Sequence, residues 1–425
     1  MRVYIGHGEI AGYFTRLQKG FYKLGIKTDF WPIYENKFQY DKKPGILIRL
    51  HRKCFAIYKS GTNTWLAIPS LGYVLVFNSL FLVYMIFRYQ VFILNAQPLL
   101  HHKELAVLKF FRKKIIVVFL GTDSRPCYLA GNLIHTKYNI QDGINLCHQE
   151  TLNKKQIIRY IEKYADIIIN HPPTALFHEK PFISWLNIGF PFDPDDIPVT
   201  LKETRDKIKI AHAPSSFTGK GSAAIIEMIN KLIQDGLPVS FSLLENLPNN
   251  KLIEELQKCD LIVNEVYSDV PLSSLGTEAA FSRKVIITSG YYAGSIHNDY
   301  PEKVIPPGVF CSPEEIEGKI REMVTDGNKR DRTAENQYNF VMQNWKSTDI
   351  AQKYLDILSG PIPEDWFYDP SKLSYFLGYG IEKKQLKTFI ANYIARFGIE
   401  ALCLSDKPEL QDKLLSFING NGETR

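Results

Sequence analysis

Apolar and polar positions follow two alternating patterns along the chain. Short, nearly continuous apolar runs are typical of buried parallel strands, and the segments between them repeat their apolar positions at helical spacing. The strands predicted in this way are Arg2 to Ile5, Val91 to Asn95, Ile115 to Leu120, and the segments DIIIN, IKIAHA, DLIVNEV and KVIIT. Helical spacing is clear in Leu17, Phe21 and Leu24, and again in Ile225, Ile229 and Leu232. The pattern therefore predicts an α/β protein.

The most apolar block of the chain is WLAIPSLGYVLVFNSLFLVYMIFRYQVFILN. An apolar run of about 20 residues is long enough to cross a membrane. Pro69 and Gly72 interrupt this run and Arg88 ends it. We therefore expect a buried helix from about Ser70 to Phe87 that leads into the next strand. The alternative that stays open is a helix with one face on the inner-membrane surface.

The stretch from Ile208 to Gly290 holds the strongest candidate for binding chemistry. The strand IKIAHA runs into a small-residue loop with Gly219, Lys220 and Gly221, and a helix follows at once. Free backbone N–H groups and the helix dipole make such a turn an anion site. Lys220 adds a full positive charge. The pattern predicts a phosphate-bearing ligand.

A second strand–loop–helix unit follows in the same stretch. DLIVNEV ends near Glu265, and the helix after it begins around Gly276, Thr277 and Glu278. Loops at the carboxyl ends of parallel strands face one crevice, so a carboxylate here could accept hydrogen bonds from ribose hydroxyls beside the phosphate. The alternative is that Glu278 only caps its helix and that Lys220 is a solvated loop residue. The two residues together favour the binding role.

Two loops in the first half of the chain are further candidates. GHGEIAG, after the first strand, contains Gly8, Glu9 and Gly12, and its spacing is wrong for a dinucleotide fingerprint. A helix-capping turn is an equal interpretation of this loop. GTDSR, after Leu120, contains Asp123, which could bind sugar hydroxyls, and Arg125, which could bind a negative group. Here the alternative is an Asp–Arg turn that only fixes the loop.

HAPSSFTGKG, CDLIVNEV and LGTEAAFSRKVIITS, together with RYQVF and GTDSR, resemble GT-B glycosyltransferases. The resemblance is to the retaining bacterial lipopolysaccharide and capsule family, glycosyl transferases group 1. It implies an α/β fold of two Rossmann-like domains that face a central cleft, with a C-terminal helical extension. The implied boundaries are 1–191 for the acceptor-side domain, 192–207 for a linker, 208–345 for the nucleotide-sugar domain, and 346–425 for a crossover helix and the extension.

The resemblance also implies roles for individual residues. Lys220 would contact the donor diphosphate and act in catalysis with Asp123. The donor-binding residues would be Gly219, Lys220, Gly221, Glu265, Gly276, Thr277 and Glu278, and the acceptor-side residues Gly8, Glu9, Gly12 and Arg125. The sequence departs from the family pattern at Val270, eight positions before Glu278, where a second glutamate is usual. The arginine that usually precedes the lysine is also missing.

The implied activity is transfer of a sugar from a nucleotide-sugar to an acceptor hydroxyl, in assembly of a bacterial capsule, lipopolysaccharide or O-antigen. The implied partners are the nucleotide-sugar and a glycan or lipid-linked glycan, and no metal ion or other cofactor is expected. Two other functions stay open: a GT-B sugar-nucleotide epimerase, and a non-catalytic protein of this fold that binds a glycan or a partner. The sequence predicts no oligomeric state.

Charge and cysteine content limit the partners and the compartment. The formal net charge is +6, from 51 basic and 45 acidic residues among 425. This balance does not require nucleic acid, since phosphate-bearing substrates or an anionic membrane surface suffice. The six cysteines are scattered without a CxxC pair, which is typical of reduced thiols rather than zinc sites or disulfides. The N-terminus lacks a signal-peptide pattern, so we expect a cytoplasmic protein, with the inner face of the membrane as the second candidate location.

Overall fold

The computed structural model describes residues 1–34, 45–60, 64–139, 142–197 and 206–420. These residues form two sheets, the first from strands of the first half of the chain with one late strand added at its edge, and the second from strands of the second half. The strands are β1 (Arg2–Gly6), β2 (Lys27–Phe30), β3 (Val91–Asn95), β4 (Lys114–Val118), β5 (Ile167–Asn170), β6 (Phe182–Ser184), β7 (Ile208–His212), β8 (Val239–Leu243), β9 (Leu261–Val263), β10 (Val285–Ser289), β11 (Val309–Cys311) and β12 (Phe367–Tyr368).

Helices connect these strands. They are α1 (Tyr13–Lys23), α2 (Ile46–Ser60), α3 (Thr64–Arg88), α4 (Lys103–Phe110), α5 (Gly131–Leu133), α6 (Gly143–Tyr164), α7 (Trp185–Ile188), α8 (Ser222–Gln234), α9 (Asn249–Gln257), α10 (Ser274–Phe281), α11 (Ile296–Asp299), α12 (Ile316–Thr325), α13 (Gly327–Asn344), α14 (Ser347–Ser359), α15 (Lys383–Phe397) and α16 (Pro408–Asn419).

The first sheet has the strand order β12-β6-β5-β4-β3-β1-β2 and is parallel except at β12. Its register places Val3 beside Val91 and Ile5 beside Ile93. Because the order reverses direction after β2, α1 packs on one face of the sheet, whereas α3, α4 and α6 pack on the other. Both faces are buried, which explains why its strands read as continuous apolar runs rather than alternating ones.

The second sheet has the order β11-β10-β9-β7-β8 and is parallel throughout. Ile225 and Ile229 of α8 are fully buried with Ile210 of β7 and Val263 of β9. Each half of the molecule is therefore a helix-covered parallel sheet of the Rossmann-like kind. The carboxyl ends of the strands in both sheets open onto one cleft, which is the arrangement predicted from the sequence.

The two halves are connected by two segments that lie side by side. Ser347 donates its backbone N–H to the carbonyl of Phe192 at 2.7 Å, and Phe192 donates to the carbonyl of Trp345 at 3.0 Å. Helix α14 then packs against α1 of the first half, where the hydroxyls of Tyr13 and Tyr354 lie 2.9 Å apart. The middle of the expected linker, residues 198–205, lies outside the described residues.

Helix α3 differs from the prediction in its bounds and in its burial. It runs from Thr64 to Arg88, and Pro69 lies in its second turn, where it removes one hydrogen bond without ending the helix. The expectation that Ser70 to Phe87 is buried is wrong, because α2 and the sheet cover only one side of α3 and the opposite side is exposed. An apolar composition does not reveal whether protein or something else covers a helix.

The C-terminal extension contains more than helices. Strand β12 pairs antiparallel with β6 at the edge of the first sheet, and residues 369–381, which we call the strap, then run without a long helix into the cleft. Gly131 donates its N–H to the carbonyl of Tyr379 at 2.8 Å, so the strap is bound to the first half. Helices α15 and α16 bury Leu386, Ile390 and Leu414 in the core of that half.

Candidate functional site

A cavity of about 350 Å³ lies in the cleft between the two sheets. Its walls come from the loops that follow β1, β4 and β5 in the first half and β7 and β9 in the second half. The strap adds Tyr379. A cavity at the carboxyl ends of parallel strands is where ligands of open α/β folds bind.

Lys220 lies on the wall of this cavity and pairs with Glu265, with 2.6 Å between Lys220 Nζ and Glu265 Oε2. The Tyr379 hydroxyl donates to the same carboxylate oxygen at 2.9 Å. The other carboxylate oxygen accepts hydrogen bonds from Ser268 Oγ and Asn264 Nδ2. Four donors thus fix an acceptor-only carboxylate, and this carboxylate holds the lysine in place.

The local sequence explains the position of Lys220. Gly221 has φ +70°, and a Cβ there would lie 2.8 Å from Val266, so only glycine suits the turn. The helix that follows is anchored by His212 at the end of β7, whose Nε2 lies 2.8 Å from Ser222 Oγ and whose Nδ1 lies 2.8 Å from the Val263 carbonyl. Since a carbonyl only accepts, Nδ1 carries the proton and Ser222 donates to Nε2. Sequence reasoning missed His212 because it reads as the end of an apolar strand.

Arg125 enters the cavity from the first half of the molecule. Its Nη2 donates to Asp269 Oδ2 of the second half, and both side chains are buried. No described residue accepts a hydrogen bond from Nε or Nη1 of Arg125. Burial lowers the pKa of this guanidinium to about 10, so it remains charged at neutral pH. A buried cation with two unused donors in a cavity can bind an anionic ligand.

The same cavity contains a buried acceptor without a partner. Asn132 Oδ1 has no hydrogen-bond donor among the described residues. Unused donors on Arg125 and an unused acceptor on Asn132 together match a ligand that carries both phosphate oxygens and hydroxyl groups. Nothing in the segment GNLIH marks Asn132 as a binding residue, so it was not predicted.

His171, at the end of β5, joins the two halves of the molecule across the cavity. Its Nε2 lies 2.8 Å from the Asp269 carbonyl, and its Nδ1 lies 2.6 Å from the Tyr300 hydroxyl. Burial, and then Arg125, lower the pKa of His171 to about 3, so the ring is neutral. Both nitrogens are occupied, which makes His171 a structural contact rather than a general base in this conformation.

The strap supplies two tyrosines that sequence reasoning did not select. The Tyr379 hydroxyl contacts Glu265, and the Tyr375 hydroxyl lies 3.4 Å from Asp269 Oδ1. Burial raises the pKa of Tyr379, and the carboxylate of Glu265 raises it further, so its hydroxyl keeps its proton and donates. Gly380, with φ +73°, lets the strap approach the Gly219 carbonyl. The sequence pattern predicts a helix with an apolar stripe over the segment YFLGYG, whereas the structure has an extended segment there, and the role of its tyrosines was not predicted.

Glu278 is not on the cavity wall, although the resemblance implies that it binds the donor. Its Oε1 accepts from Arg16 Nη2 at 2.6 Å and from Asn249 Nδ2 at 2.8 Å, and the side chain is buried. The Arg16 guanidinium lies 4.2 Å from the centroid of the Phe192 ring. Gly276 and Thr277 pack within α10, where Thr277 bonds the Ser273 carbonyl. Glu278 therefore joins the two halves of the protein in this conformation.

The predicted residues of the first half are also placed outside the cavity, with the exception of Arg125. Asp123 turns back to accept from the Leu120 N–H, and burial raises the pKa of this carboxyl to about 6. Glu9 caps α1 by accepting from the N–H groups of Phe14 and Thr15, which is the helix-capping interpretation of its loop. In that loop a Cβ on Gly8 would collide with Gln97, and Gly12 has φ +78°.

A scan against protein-family models found no match, and neither did a search of curated proteins. Among solved structures, the chain is similar to the apo structure of OtsA, with a TM-score of 0.53 and 9% identity over 85% of this chain and 99% of that chain. Anabaena HepE in complex with UDP and glucose gives a TM-score of 0.44 and 11% identity over 85% and 99%. S. aureus MnaA bound to UDP gives 0.44 and 11% over 84% and 95%.

The topology and the likeness to OtsA define the fold class as GT-B, with two Rossmann-like domains that face a central cleft. The cavity lies in that cleft. At 9% identity the likeness concerns the fold alone. What the site binds must be argued from its own residues.

Proposed function

We propose that this protein is a glycosyltransferase that moves a sugar from a nucleotide-sugar donor to an acceptor hydroxyl, in the assembly of a bacterial surface polysaccharide. One observation carries the proposal: Lys220 of the second domain and Arg125 of the first, with two unused N–H donors, border one cavity between the domains. A nucleoside diphosphate linked to a sugar carries negative charge for these cations and hydroxyl groups for the unused acceptor of Asn132. The GT-B fold is the setting in which such a ligand is expected.

The proposed donor places its diphosphate between Lys220, Arg125 and the N-terminus of α8. Glu265 pairs with Lys220, so the diphosphate would compete with this carboxylate for the ammonium group. When the bond between the sugar and the phosphate breaks, negative charge grows on the diphosphate. Fixed positive groups stabilise that charge without rearranging, which is the main source of catalysis by a preorganised site.

The acceptor would enter from the first domain, beside Gly121 and Thr122 on the cavity wall. Asn132 Oδ1 and the carboxylates of Glu265 and Asp269 can accept hydrogen bonds from sugar hydroxyls. Asp123 stays a predicted catalytic residue. Its carboxyl would have to rotate away from the Leu120 N–H, and its pKa of about 6 suits a group that gains and loses a proton near neutral pH.

The proposal gives no role to a metal ion or another cofactor, because protein groups supply the positive charge that the diphosphate needs. It places the reaction in the cytoplasm, where nucleotide-sugars are made. It also keeps the resemblance to the lipopolysaccharide and capsule enzymes as the reason to choose a surface glycan as product.

Calorimetry with a panel of nucleoside diphosphates tests the binding step. Arg125→Lys keeps a positive partner for Asp269 but removes the planar donors that no residue uses. We expect this change to weaken nucleotide affinity about tenfold or more, the scale of a lost charge-assisted hydrogen bond. Arg159→Lys is the matched control, since Arg159 is exposed and pairs with Glu179 on the surface.

Product analysis with a donor and crude glycan acceptor then tests the chemistry. Transfer of the sugar to the acceptor, with release of the nucleotide, is the expected result. Conversion of the donor sugar in the absence of acceptor would identify an epimerase instead. Failure of every nucleotide to bind the folded wild-type protein would reject the proposal.

A further inference from the structure

Helix α3 carries a long apolar stripe on its exposed side. Trp65, Val76, Leu80, Val83 and Phe87 are 88%, 60%, 66%, 51% and 82% exposed. Their spacing places them on one face of the helix, and the stripe runs for about 33 Å at 1.5 Å per residue. Isolated exposed apolar residues are ordinary, but a contiguous stripe of this length marks an interaction surface.

The opposite side of α3 is occupied by the protein itself. Asn78 Oδ1 accepts a hydrogen bond from His51 Nε2 of α2 at 3.0 Å, and Asn78 Nδ2 donates to the Leu99 carbonyl at 2.9 Å. Further along, Leu82 and Met85 are buried in the core of the first domain. The orientation of α3 is therefore fixed by polar and apolar contacts on one side. The part of the stripe from Val76 to Phe87 faces outward, and no described element packs over it.

The residues around the stripe are mainly basic, which favours an anionic partner. Between Gly45 and Lys114 the sequence has ten basic residues and a single acidic one, Glu104. Glu104 is buried and accepts from backbone N–H groups, so it does not contribute at the surface. Exposed Arg49, Lys53 and Lys59 lie on α2 beside α3. A surface that is apolar in the middle and basic at its border is complementary to a membrane with anionic lipids.

Aromatic side chains extend this surface at the end of α3. Phe110 ends α4 and Phe111 follows it, and the two side chains are 81% and 48% exposed. The Lys113 ammonium donates to the Tyr89 carbonyl at 2.8 Å, which places the turn after α4 beside the end of α3. Exposed aromatic rings with basic neighbours are typical of the boundary between lipid headgroups and acyl chains.

The segment Trp65–Arg88 is long and apolar enough to cross a membrane by length and composition alone. Its packing points to a different placement. Because Asn78, Leu82 and Met85 bind it to the rest of the domain, lipid cannot surround its second half. A helix with one covered side and one apolar side lies in the plane of the interface.

We propose that the outer face of α2 and α3, with Phe110 and Phe111, is a docking surface for an anionic membrane. The N-terminal half of α3 precedes Asn78, which bonds Leu99 just past the carboxyl end of β3, so this half extends beyond the sheet on the side of the cleft. The membrane would thus lie next to the acceptor side of the cavity. If the proposed sugar transfer is correct, on which this last step rests, the acceptor is a lipid-linked molecule held in that membrane.

Cosedimentation with phosphatidylcholine vesicles, with and without phosphatidylglycerol, tests the docking surface. Wild-type protein should bind the vesicles that contain phosphatidylglycerol and be released by high salt. The double variant Leu80→Glu with Val83→Glu should bind at least about tenfold more weakly, because two apolar side chains no longer enter the lipid. Tyr22→Glu, at an equally exposed aromatic residue of α1 on the other face of the sheet, should bind like the wild type.

Four results would overturn this proposal. They are no binding of the wild type to phosphatidylglycerol vesicles, unchanged binding of the double variant, a need for detergent to extract the protein from membranes, and a dimer that the double variant dissociates. The third would make α3 a membrane span, and the fourth would make the stripe an interface between two copies. Calorimetry of nucleotide binding separates this test from that of the function, since the double variant should bind nucleotide as tightly as the wild type.

Discussion

Arg16 and Glu278 form a buried ion pair that joins the two domains at the edge of the cleft, 2.6 Å between Nη2 and Oε1. Removing one partner of a buried pair leaves a charge without compensation, which costs more than the pair itself contributes. The arrangement leaves two roles for Glu278. In the first role Glu278 serves only to hold the two domains together. In the second role its ion pair with Arg16 breaks and Glu278 binds the donor ribose.

Glu278→Gln should lower the free energy of unfolding by about 3 kcal/mol, because Arg16 would keep its charge in a buried place. In a double-mutant cycle with Arg16→Met, the two changes together should cost clearly less than the sum of the single changes. Urea denaturation measures all four proteins. Additive losses would show that the two side chains do not act as a pair. A separate loss of nucleotide affinity in folded Glu278→Gln protein would favour the ribose role.

The site residues that were predicted from the sequence have local sequence signals, whereas the others reach the site only through the packing of distant segments. Gly219, Lys220 and Gly221 were chosen because a strand, a glycine turn and a helix start are local signals. Glu265 was chosen because it stands at the end of an apolar run. The partners of these groups, such as Tyr379 and Asn132, come from segments far away in sequence. Only the packing of the strap and of the loop after β4 could place them there.

The strap, residues 369–381, is the element whose role is least visible in the sequence. It follows β12, enters the cleft, and gives Glu265 one of its four hydrogen-bond donors. It therefore acts on Lys220 through the carboxylate that holds this lysine. Tyr379 is in this account a positioning residue for the proposed phosphate site.

Tyr379→Phe should lower the free energy of unfolding by about 1–3 kcal/mol, since a buried carboxylate loses a hydrogen-bond partner. It should also lower turnover more than it changes donor affinity, because Lys220 would be held less firmly when charge develops. Steady-state kinetics and urea denaturation measure the two effects. Tyr22→Phe, at an exposed ring, is the control. A Tyr379→Phe protein with wild-type turnover would reduce the strap to a structural role.

Helix α3 was predicted only in part from the sequence. Its existence, and its exit into β3, were correctly predicted from the apolar pattern. Its burial was not, because periodicity reports which faces are apolar and says nothing of what covers them. The strands of both sheets were predictable for the opposite reason: they are buried on both faces, and a continuous apolar run is the direct result.

The whole molecule is held across the cleft by several buried contacts, and one of them makes stability depend on pH. The ordinary pKa of histidine is about 6.5. In the folded protein, burial and the charge of Arg125 lower the pKa of His171 to about 3. Between these values the unfolded chain binds a proton that the folded protein does not. Stability contributed by neutral His171 is thus present above about pH 6.5 and is lost as the pH falls.

When the pH is lowered from about 6.5 to about 5, His171 should lower the unfolding free energy of the wild type by about 2 kcal/mol, at about 1.4 kcal/mol per pH unit. His171→Gln can keep hydrogen bonds to the Asp269 carbonyl and the Tyr300 hydroxyl but cannot be protonated. The variant should therefore lose about 2 kcal/mol less than the wild type over this range. Denaturation curves at the two pH values provide the comparison, and equal losses in both proteins would contradict the assignment.

The proposed mechanism assigns to Lys220 the stabilisation of a departing diphosphate, and the turnover of Lys220→Ala measures this role. Nucleotide release is measured at saturating donor, with circular dichroism to verify folding. Lys231→Ala is the control, since Lys231 is an exposed lysine of the same α8 that pairs with Glu317.

Because charge on the diphosphate grows only as the bond to the sugar breaks, Lys220→Ala should lower turnover about a hundredfold or more, with a smaller effect on donor affinity. Added salt should not restore activity, since a mobile cation does not take the fixed position of Nζ. Turnover within a few-fold of the wild type would contradict the claim and leave the Gly219–Gly221 turn and the N-terminus of α8 as the phosphate site.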